Sequence, residues 1–80
     1  MQELSDIEYY KLFGKHIKAL RKKYDLSQTD LAGKSNLEKT AIQRIERGYN
    51  STIMTLRKLA KGFDISISEL FNFPKDDAEK

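Results

Sequence analysis

The chain of 80 residues contains no cysteine, so neither disulfide bonds nor a thiolate metal site can stabilise it. No apolar run approaches the roughly 18 to 20 residues of a membrane span, and the N-terminus is acidic where a secretory signal would be basic and then apolar. The one histidine, His16, has no obvious acidic partner, and neither a glycine-rich phosphate loop nor paired catalytic carboxylates are present. We therefore expect a cytoplasmic protein that is not an enzyme, with no metal, cofactor, membrane partner or small-molecule ligand.

The charges are distributed unevenly along this short chain. Residues 1–10 carry a net charge of −3, and residues 63–80 carry −3 again. The segment 11–62 holds 13 basic and 4 acidic side chains, a net charge of +9. Such an excess favours a polyanionic partner, of which nucleic acid is the commonest, although a surface that simply faces water remains the alternative.

The sequence marks the starts of its helices unusually clearly. In a capping box, a Ser or Thr before the helix is followed three residues later by an acidic or amide side chain. Ser5, Ser27 and Ser66 fit this pattern, with Glu8, Asp30 and Glu69 as the acids. Thr52 is a plausible cap for a further helix, whereas Glu38 is a poor capping residue.

Residues that tolerate a left-handed backbone mark the helix ends. Asp25, Asn36 and Asp64 each follow a helical pattern, as does Gly48. The strict apolar alternation of a half-buried strand is not found. The sequence predicts an all-α domain with helices at about 7–24, 28–35, 39–47, 53–62 and 67–71.

The predicted helices are amphipathic and share one core. At about 100° per residue, the first helix places apolar and basic side chains on opposite sides. We expect the core to contain Tyr10, Phe13, Ile17, Leu20, Tyr24, Leu26, Leu31, Ala32, Leu37, Ile42, Ile45, Ile53, Leu56, Leu59, Ala60, Phe63, Ile65, Ile67 and Leu70. The basic side of the first helix consists of Lys11, Lys15, Lys18 and Lys22.

The third predicted helix has a polar face opposite its two isoleucines. The face consists of Thr40, Gln43, Arg44 and Arg47, with Lys39 near its edge. Arg can donate two hydrogen bonds to guanine, Gln can pair with adenine, and the Thr methyl can contact thymine. This composition favours a helix that binds base edges in a groove of DNA, since a merely solvated face would more often mix Glu with Lys.

Two further positions bear on the same helix. Glu46 lies on its buried shoulder and needs a partner, for which Arg21 on the first helix is the best candidate. Gln28 begins the second helix, where free backbone N–H groups favour a phosphate. Its side chain is expected to contact a DNA phosphate, and the alternative is a polar first-turn residue with no such role.

Three runs of residues resemble a known family. They are IKALRKKYDLSQTDLA from residue 17, SNLEKTAIQRIERG from residue 35, and TIMTLRKLAKGFDISISELF from residue 52. In order and nearly without gaps, they resemble the phage repressor and Cro-like helix-turn-helix family, also called the XRE type. The resemblance implies a five-helix, lambda-repressor-like fold, which we expect in residues 11–73. The charge pattern marks an acidic extension at 1–10, and Pro74 with the charged residues after it marks a disordered tail at 74–80.

The resemblance also implies which residues contact DNA. The family's base-reading positions fall on Lys39, Thr40, Gln43 and Arg44, and its phosphate contacts fall on Gln28, Arg47, Tyr49 and Asn50. Its buried ion pair maps onto Arg21 and Glu46. The chain departs from the family at Asn36, where a turn glycine is usual, at Ser51, where proline is frequent, and at Glu38, where a small cap is usual.

The expected function is that of a sequence-specific double-stranded DNA-binding transcription regulator in the bacterial or phage nucleoid. We expect a repressor that binds a pseudo-palindromic operator as a homodimer. We expect the dimer contact at Ile67, Phe71 and Phe73, with intramolecular packing as the alternative. A second functional hypothesis is an antitoxin-like module that binds a partner protein, although the tail PKDDAEK offers no apolar anchors for one.

Overall fold

The computed structural model describes residues 4–74, and within them it contains five helices and no strand. The helices are α1 (Asp6–Lys23), α2 (Gln28–Ser35), α3 (Lys39–Glu46), α4 (Ile53–Phe63) and α5 (Ile67–Leu70). The all-α prediction is confirmed, and each predicted boundary is within one residue of the observed one. Most of the predicted tail, and the first three residues of the acidic extension, lie outside the described residues.

Local hydrogen bonds account for the helix starts. Ser5, Ser27 and Ser66 each accept a bond from the backbone N–H three residues on, and the acid at that position accepts one from the serine backbone. Thr52 caps α4 through a single bond, which its side chain accepts from the Thr55 N–H. Glu38, in contrast, makes no capping bond with its side chain. The α3 helix is therefore held in place by packing rather than by its own cap.

The helix ends have the left-handed residues that the sequence indicated. Asp25, Asn36 and Asp64 have φ values of 57°, 55° and 58°, and Gly48 has a φ of 94°. At Asn36 the chain turns from α2 into α3 while the Leu37 N–H donates to the Ala32 carbonyl at 2.9 Å. Asn is one of the few residues besides glycine that accept this backbone, so the missing turn glycine does not disrupt the motif.

One core joins all five helices. Its fully buried side chains are Ile17, Leu31, Ile42, Ile45, Leu59 and Leu70. The α3 helix packs on α1 and α2, while α4 packs on α2 and α5. In this arrangement α3 is supported from behind on two sides.

The α2 and α4 helices approach closely at a glycine. A Cβ atom on Gly62 would clash with the Ser35 Oγ and would lie 3.0 Å from the Ser35 Cβ. Ser35 is itself only 2% exposed. Any side chain at position 62 would therefore separate the two helices.

The predicted core contains three errors. Ile53 is 80% exposed, Ile67 is 42% exposed and Tyr24 is 41% exposed. Ile53 and Ile67 occupy the first turns of α4 and α5, where no neighbouring helix covers the side predicted to be buried. Tyr24 follows the last turn of α1, and its ring lies 5.9 Å from the Phe63 ring between centroids.

Candidate nucleic-acid interface

The α3 helix is anchored by two isoleucines and a close helix crossing. Ile42 and Ile45 are 0% and 2% exposed. On the α1 side, a Cβ atom on Gly14 would lie 2.5 Å from the Ile45 carbonyl oxygen and 2.8 Å from the Glu46 carbonyl oxygen. Because glycine lets the two backbones approach, the position of α3 is fixed relative to α1.

The opposite side of α3 is open to solvent. Lys39, Thr40, Arg44 and Arg47 are exposed, and Gln43 is half-buried. No acidic side chain lies within this face, which carries donors suited to base edges and phosphates. The structure therefore places the four predicted base-reading residues on one accessible surface, with Arg47 beside them.

Arg21 and Glu46 form a hydrogen-bonded ion pair between α1 and α3. The Arg21 Nε donates to Glu46 Oε2 at 2.7 Å, and a terminal guanidinium nitrogen donates to Oε1 at 3.1 Å. The other terminal nitrogen donates to the Leu26 carbonyl at 3.0 Å. The side chains are 12% and 6% exposed, and the hydrogen bonds to Glu46 raise the pKa of Arg21 above its ordinary value. This pair ties α3 to α1 and to the turn before α2.

Gln28 joins this pair from the first turn of α2. Its Nε2 donates to Glu46 Oε1 at 3.2 Å, and the residue is half-buried. One N–H of the amide is thus used internally, while a primary amide has a second N–H to offer. The sequence reasoning missed this contact, which joins two side chains 18 positions apart.

Arg44 stacks on Tyr49 beyond the end of α3. The guanidinium carbon lies 5.4 Å from the centroid of the Tyr49 ring. The backbone sets up the pair, since the Tyr49 N–H donates to the Arg44 carbonyl at 3.0 Å and the Gly48 N–H donates to the Ile45 carbonyl at 3.0 Å. These bonds form a Schellman motif with Gly48 in the left-handed position. A glycine four residues after an arginine, followed by an aromatic residue, could have indicated the contact from the sequence.

The turn after α3 presents further polar groups. Tyr49 is 53% exposed, and Asn50 is exposed with its side-chain oxygen accepting from the Ser51 N–H at 2.8 Å. An amide side chain also carries an NH2 group that can donate hydrogen bonds. Both predicted phosphate contacts in this turn are therefore accessible beside Arg47.

Two of the three residues of the predicted dimer contact pack within the chain. Phe73 is 6% exposed and packs inside the chain, with its ring 5.5 Å from Tyr9 and 5.1 Å from the His16 ring. Phe71 is half-buried and stacks on Phe13 at 5.0 Å. Of the three predicted residues, only Ile67 presents an exposed apolar side chain, because the segment after α5 folds back over α1.

The α2–turn–α3 arrangement and its polar outer face define the class of protein. Two short helices joined at a left-handed residue, with the second exposing base-reading side chains, are the structure of a helix-turn-helix DNA-binding domain. The chain is therefore a DNA-binding transcription regulator and not an enzyme. Within residues 4–74, no helix is both long and apolar enough to cross a membrane.

Comparison with known proteins agrees with this class. Residues 17–70 match the model of a helix-turn-helix family. The chain is 42% identical over 62 residues to the control protein C.MunI of Mycoplasma sp, covering 75% of this chain and 84% of that protein. It is also 40% identical over 58 residues to the immunity repressor protein of Bacillus phage phi105, covering 71% of this chain but only 40% of the repressor.

Solved structures show the same relationship. The restriction-modification controller protein C.AhdI from Aeromonas hydrophila superposes with a TM-score of 0.73 at 35% identity, covering 76% of this chain and 94% of that one. The controller protein C.Esp1396I gives a TM-score of 0.71 at 38% identity, covering 79% and 83%. The chain belongs to the XRE-type helix-turn-helix family.

Proposed function

We propose that this protein is a homodimeric transcriptional repressor that binds a pseudo-palindromic operator through α3. It acts in the bacterial or phage nucleoid as a regulator similar to the restriction-modification controller proteins. The observation that carries the proposal is the contrast between the two sides of α3. Ile42 and Ile45 hold one side, while the other exposes a set of base-edge and phosphate donors. We favour a role like that of the controller proteins over one like that of the phage repressor, because the similarity spans most of the length of the controller proteins.

Within this proposal, Lys39, Thr40, Gln43 and Arg44 contact base edges in the major groove. Arg44 has the planar fork that donates two bonds to guanine O6 and N7, and Gln43 can pair with adenine N6 and N7. Lys39 at the first turn can donate to a guanine, and the Thr40 methyl can contact thymine. Their order along α3 would fix the order of bases that the protein prefers.

Four other residues hold the protein to the DNA backbone. Gln28 uses its second amide N–H, Arg47 its guanidinium, Tyr49 its hydroxyl and Asn50 its amide nitrogen toward phosphate oxygens. Such contacts carry no sequence information, yet they set the docking angle of α3. The bond from Gln28 to Glu46 supports this role, because it orients the amide before DNA arrives.

The dimer contact is proposed at the exposed apolar residues of α4 and α5, namely Ile53, Met54 and Ile67. They are 80%, 57% and 42% exposed, respectively. Apolar side chains so exposed on adjoining helices favour burial against a second copy. A dimer of this class places its recognition helices about 34 Å apart, one turn of DNA.

Selection of bound duplexes from a random pool tests the proposal. We expect inverted half-sites with centres about 10 base pairs apart. Enrichment of no sequence would overturn specific binding, and a single unpaired half-site would overturn the symmetric dimer.

Sedimentation of surface variants tests the dimer contact. The parent should sediment at twice the 9.3 kDa mass of the chain. Ile53→Lys should sediment at the chain mass, because it places a charge in the contact. Ile7→Lys is the matched control, since Ile7 is 66% exposed on α1, and it should remain dimeric. Equal behaviour of the two variants would contradict the proposed surface.

A further inference from the structure

A polar groove lies where α1, α2 and α3 meet beside the recognition face. It has a volume of about 330 Å³ and is lined by Lys18, Gln28, Gln43, Glu46 and Arg47. Lys18 belongs to α1 and is exposed. Neither Lys18 nor any other residue of α1 is among the proposed DNA contacts.

The charges around the groove favour an anion. Lys18 on α1 and Arg47, which directly follows α3, supply two cations. The carboxylate of Glu46 is already compensated, because the Arg21 guanidinium donates two hydrogen bonds to it. Gln28 contributes an amide whose second N–H is not used by Glu46. The groove thus offers two cations and neutral donors to an acceptor group.

We propose that this groove seats a phosphate of the DNA backbone and that Lys18 contacts it directly, which extends the DNA surface to α1. This inference rests on the proposed function, since Gln43 and Arg47 connect the groove to the face that enters the major groove. A phosphodiester fits the donor set, because its unesterified oxygens accept from ammonium, guanidinium and amide groups together. Binding would also neutralise the cationic end of the groove.

Lys23 provides a matched comparison on the same helix. Both lysines are exposed, but Lys23 does not line the groove, and its Nζ lies 5.6 Å from the centroid of the Tyr24 ring. Lys18→Gln and Lys23→Gln therefore change the net charge equally at different places. Any effect of long-range attraction alone would be shared by the two variants.

The experiment measures the affinity of the full chain for its selected duplex between 50 and 200 mM salt. Log K falls linearly with log salt, and loss of one phosphate contact makes this slope less steep by about 0.9. Affinity falls as salt rises from 50 to 200 mM, and the factor by which it falls should be about three- to fourfold smaller for Lys18→Gln than for the parent. Its ratio of affinities for selected and scrambled duplexes should stay at the parent value, since losing a phosphate contact weakens binding to all sequences alike.

The Lys23→Gln variant should keep the parent slope. An unchanged slope for Lys18→Gln, or an equal reduction in both variants, would overturn the phosphate contact. If the parent itself failed to prefer its selected duplex over a scrambled one, the proposed function would fail instead. The two failures are therefore distinguishable.

The stacking at the end of α3 carries a second, independent inference. We infer that Tyr49 is a positioning residue that holds the Arg44 guanidinium for base contact. The Schellman bonds fix the ring relative to Arg44, and the two groups are 5.4 Å apart. An arginine that is already stacked loses less side-chain freedom when it meets a guanine edge.

Two substitutions at Tyr49 separate this role from a phosphate contact. Tyr49→Phe removes the hydroxyl but keeps the ring, so it should preserve discrimination at the base pair that Arg44 contacts. Tyr49→Leu removes the ring and should lower that discrimination about two- to fivefold, the size of an exposed cation–π contact. Unchanged or increased discrimination in Tyr49→Leu would overturn the inference.

Discussion

Replacing Arg21 by methionine should destabilise the fold strongly, although Arg21 is outside the DNA-contacting face. The substitution removes three hydrogen bonds, two of which serve the Glu46 carboxylate. Glu46 is only 6% exposed, so water cannot fully replace the lost donors. Gln28 would remain its one hydrogen-bond partner among the described residues.

The magnitude follows from the burial of the pair. Removing one partner of a buried ion pair costs about 3 to 5 kcal/mol, because the other charge is left uncompensated. Since Arg21 retains 12% exposure, the lower end, about 3 kcal/mol, applies. In a domain of this size, each kcal/mol lowers the melting temperature by about 4 to 8 °C. Arg21→Ala should be worse than Arg21→Met, because methionine keeps the packing of the arginine stem.

Denaturant unfolding at neutral pH provides the assay. The double variant Arg21→Met with Glu46→Leu should return to within about 1 kcal/mol of the parent, since it leaves no buried charge. A loss below about 0.5 kcal/mol in Arg21→Met would refute this reasoning, because exposed positions typically give such values.

Three other substitutions test the packing and the caps. Gly62→Ala should destabilise the protein by about 1 to 3 kcal/mol through overpacking, and Ser35→Gly in the same chain should recover part of the loss in thermal melts. Gly14→Ala should weaken both stability and DNA affinity, because its Cβ would meet the α3 backbone, and unchanged DNA affinity would contradict the crossing. Ser27→Ala should cost about 1 kcal/mol. Hydrogen bonds from the Ser27 backbone and side chain hold the pKa of Asp30 below its ordinary value. The cap therefore stabilises the folded state at pH values above that ordinary value, and this stabilisation is lost as pH falls through the lowered pKa. Ser27→Ala keeps the backbone bond, which is the larger cause, so its unfolding should have an acid dependence only partly weaker than that of the parent.

The sequence was sufficient for the helices because their ends depend on neighbouring residues. Each serine cap finds its acid three positions away, and each left-handed end is a single Asp, Asn or Gly. The ion pair of Arg21 with Glu46 was also accessible, since a carboxylate on a buried shoulder demands a cation from the facing helix.

Features that depend on how helices cross were not accessible from the sequence. Ile53 is exposed because, within residues 4–74, no element covers its side of the first turn of α4, which a helical projection cannot show. Phe73 is buried because the segment after α5 returns to α1. The groove containing Lys18 needs three helices to meet, so the four lysines on the basic side of α1 could not reveal which of them lies beside α3.

Direct base recognition by α3 is tested most sharply by Arg44→Lys, which keeps the charge but removes the planar fork. Affinity should be measured for the selected duplex and for duplexes with each single base pair changed. We predict that the parent prefers one guanine per half-site by about 1 to 3 kcal/mol, and that Arg44→Lys loses this preference at that position alone. The same base preferences in Arg44→Lys and in the parent would contradict recognition through this residue.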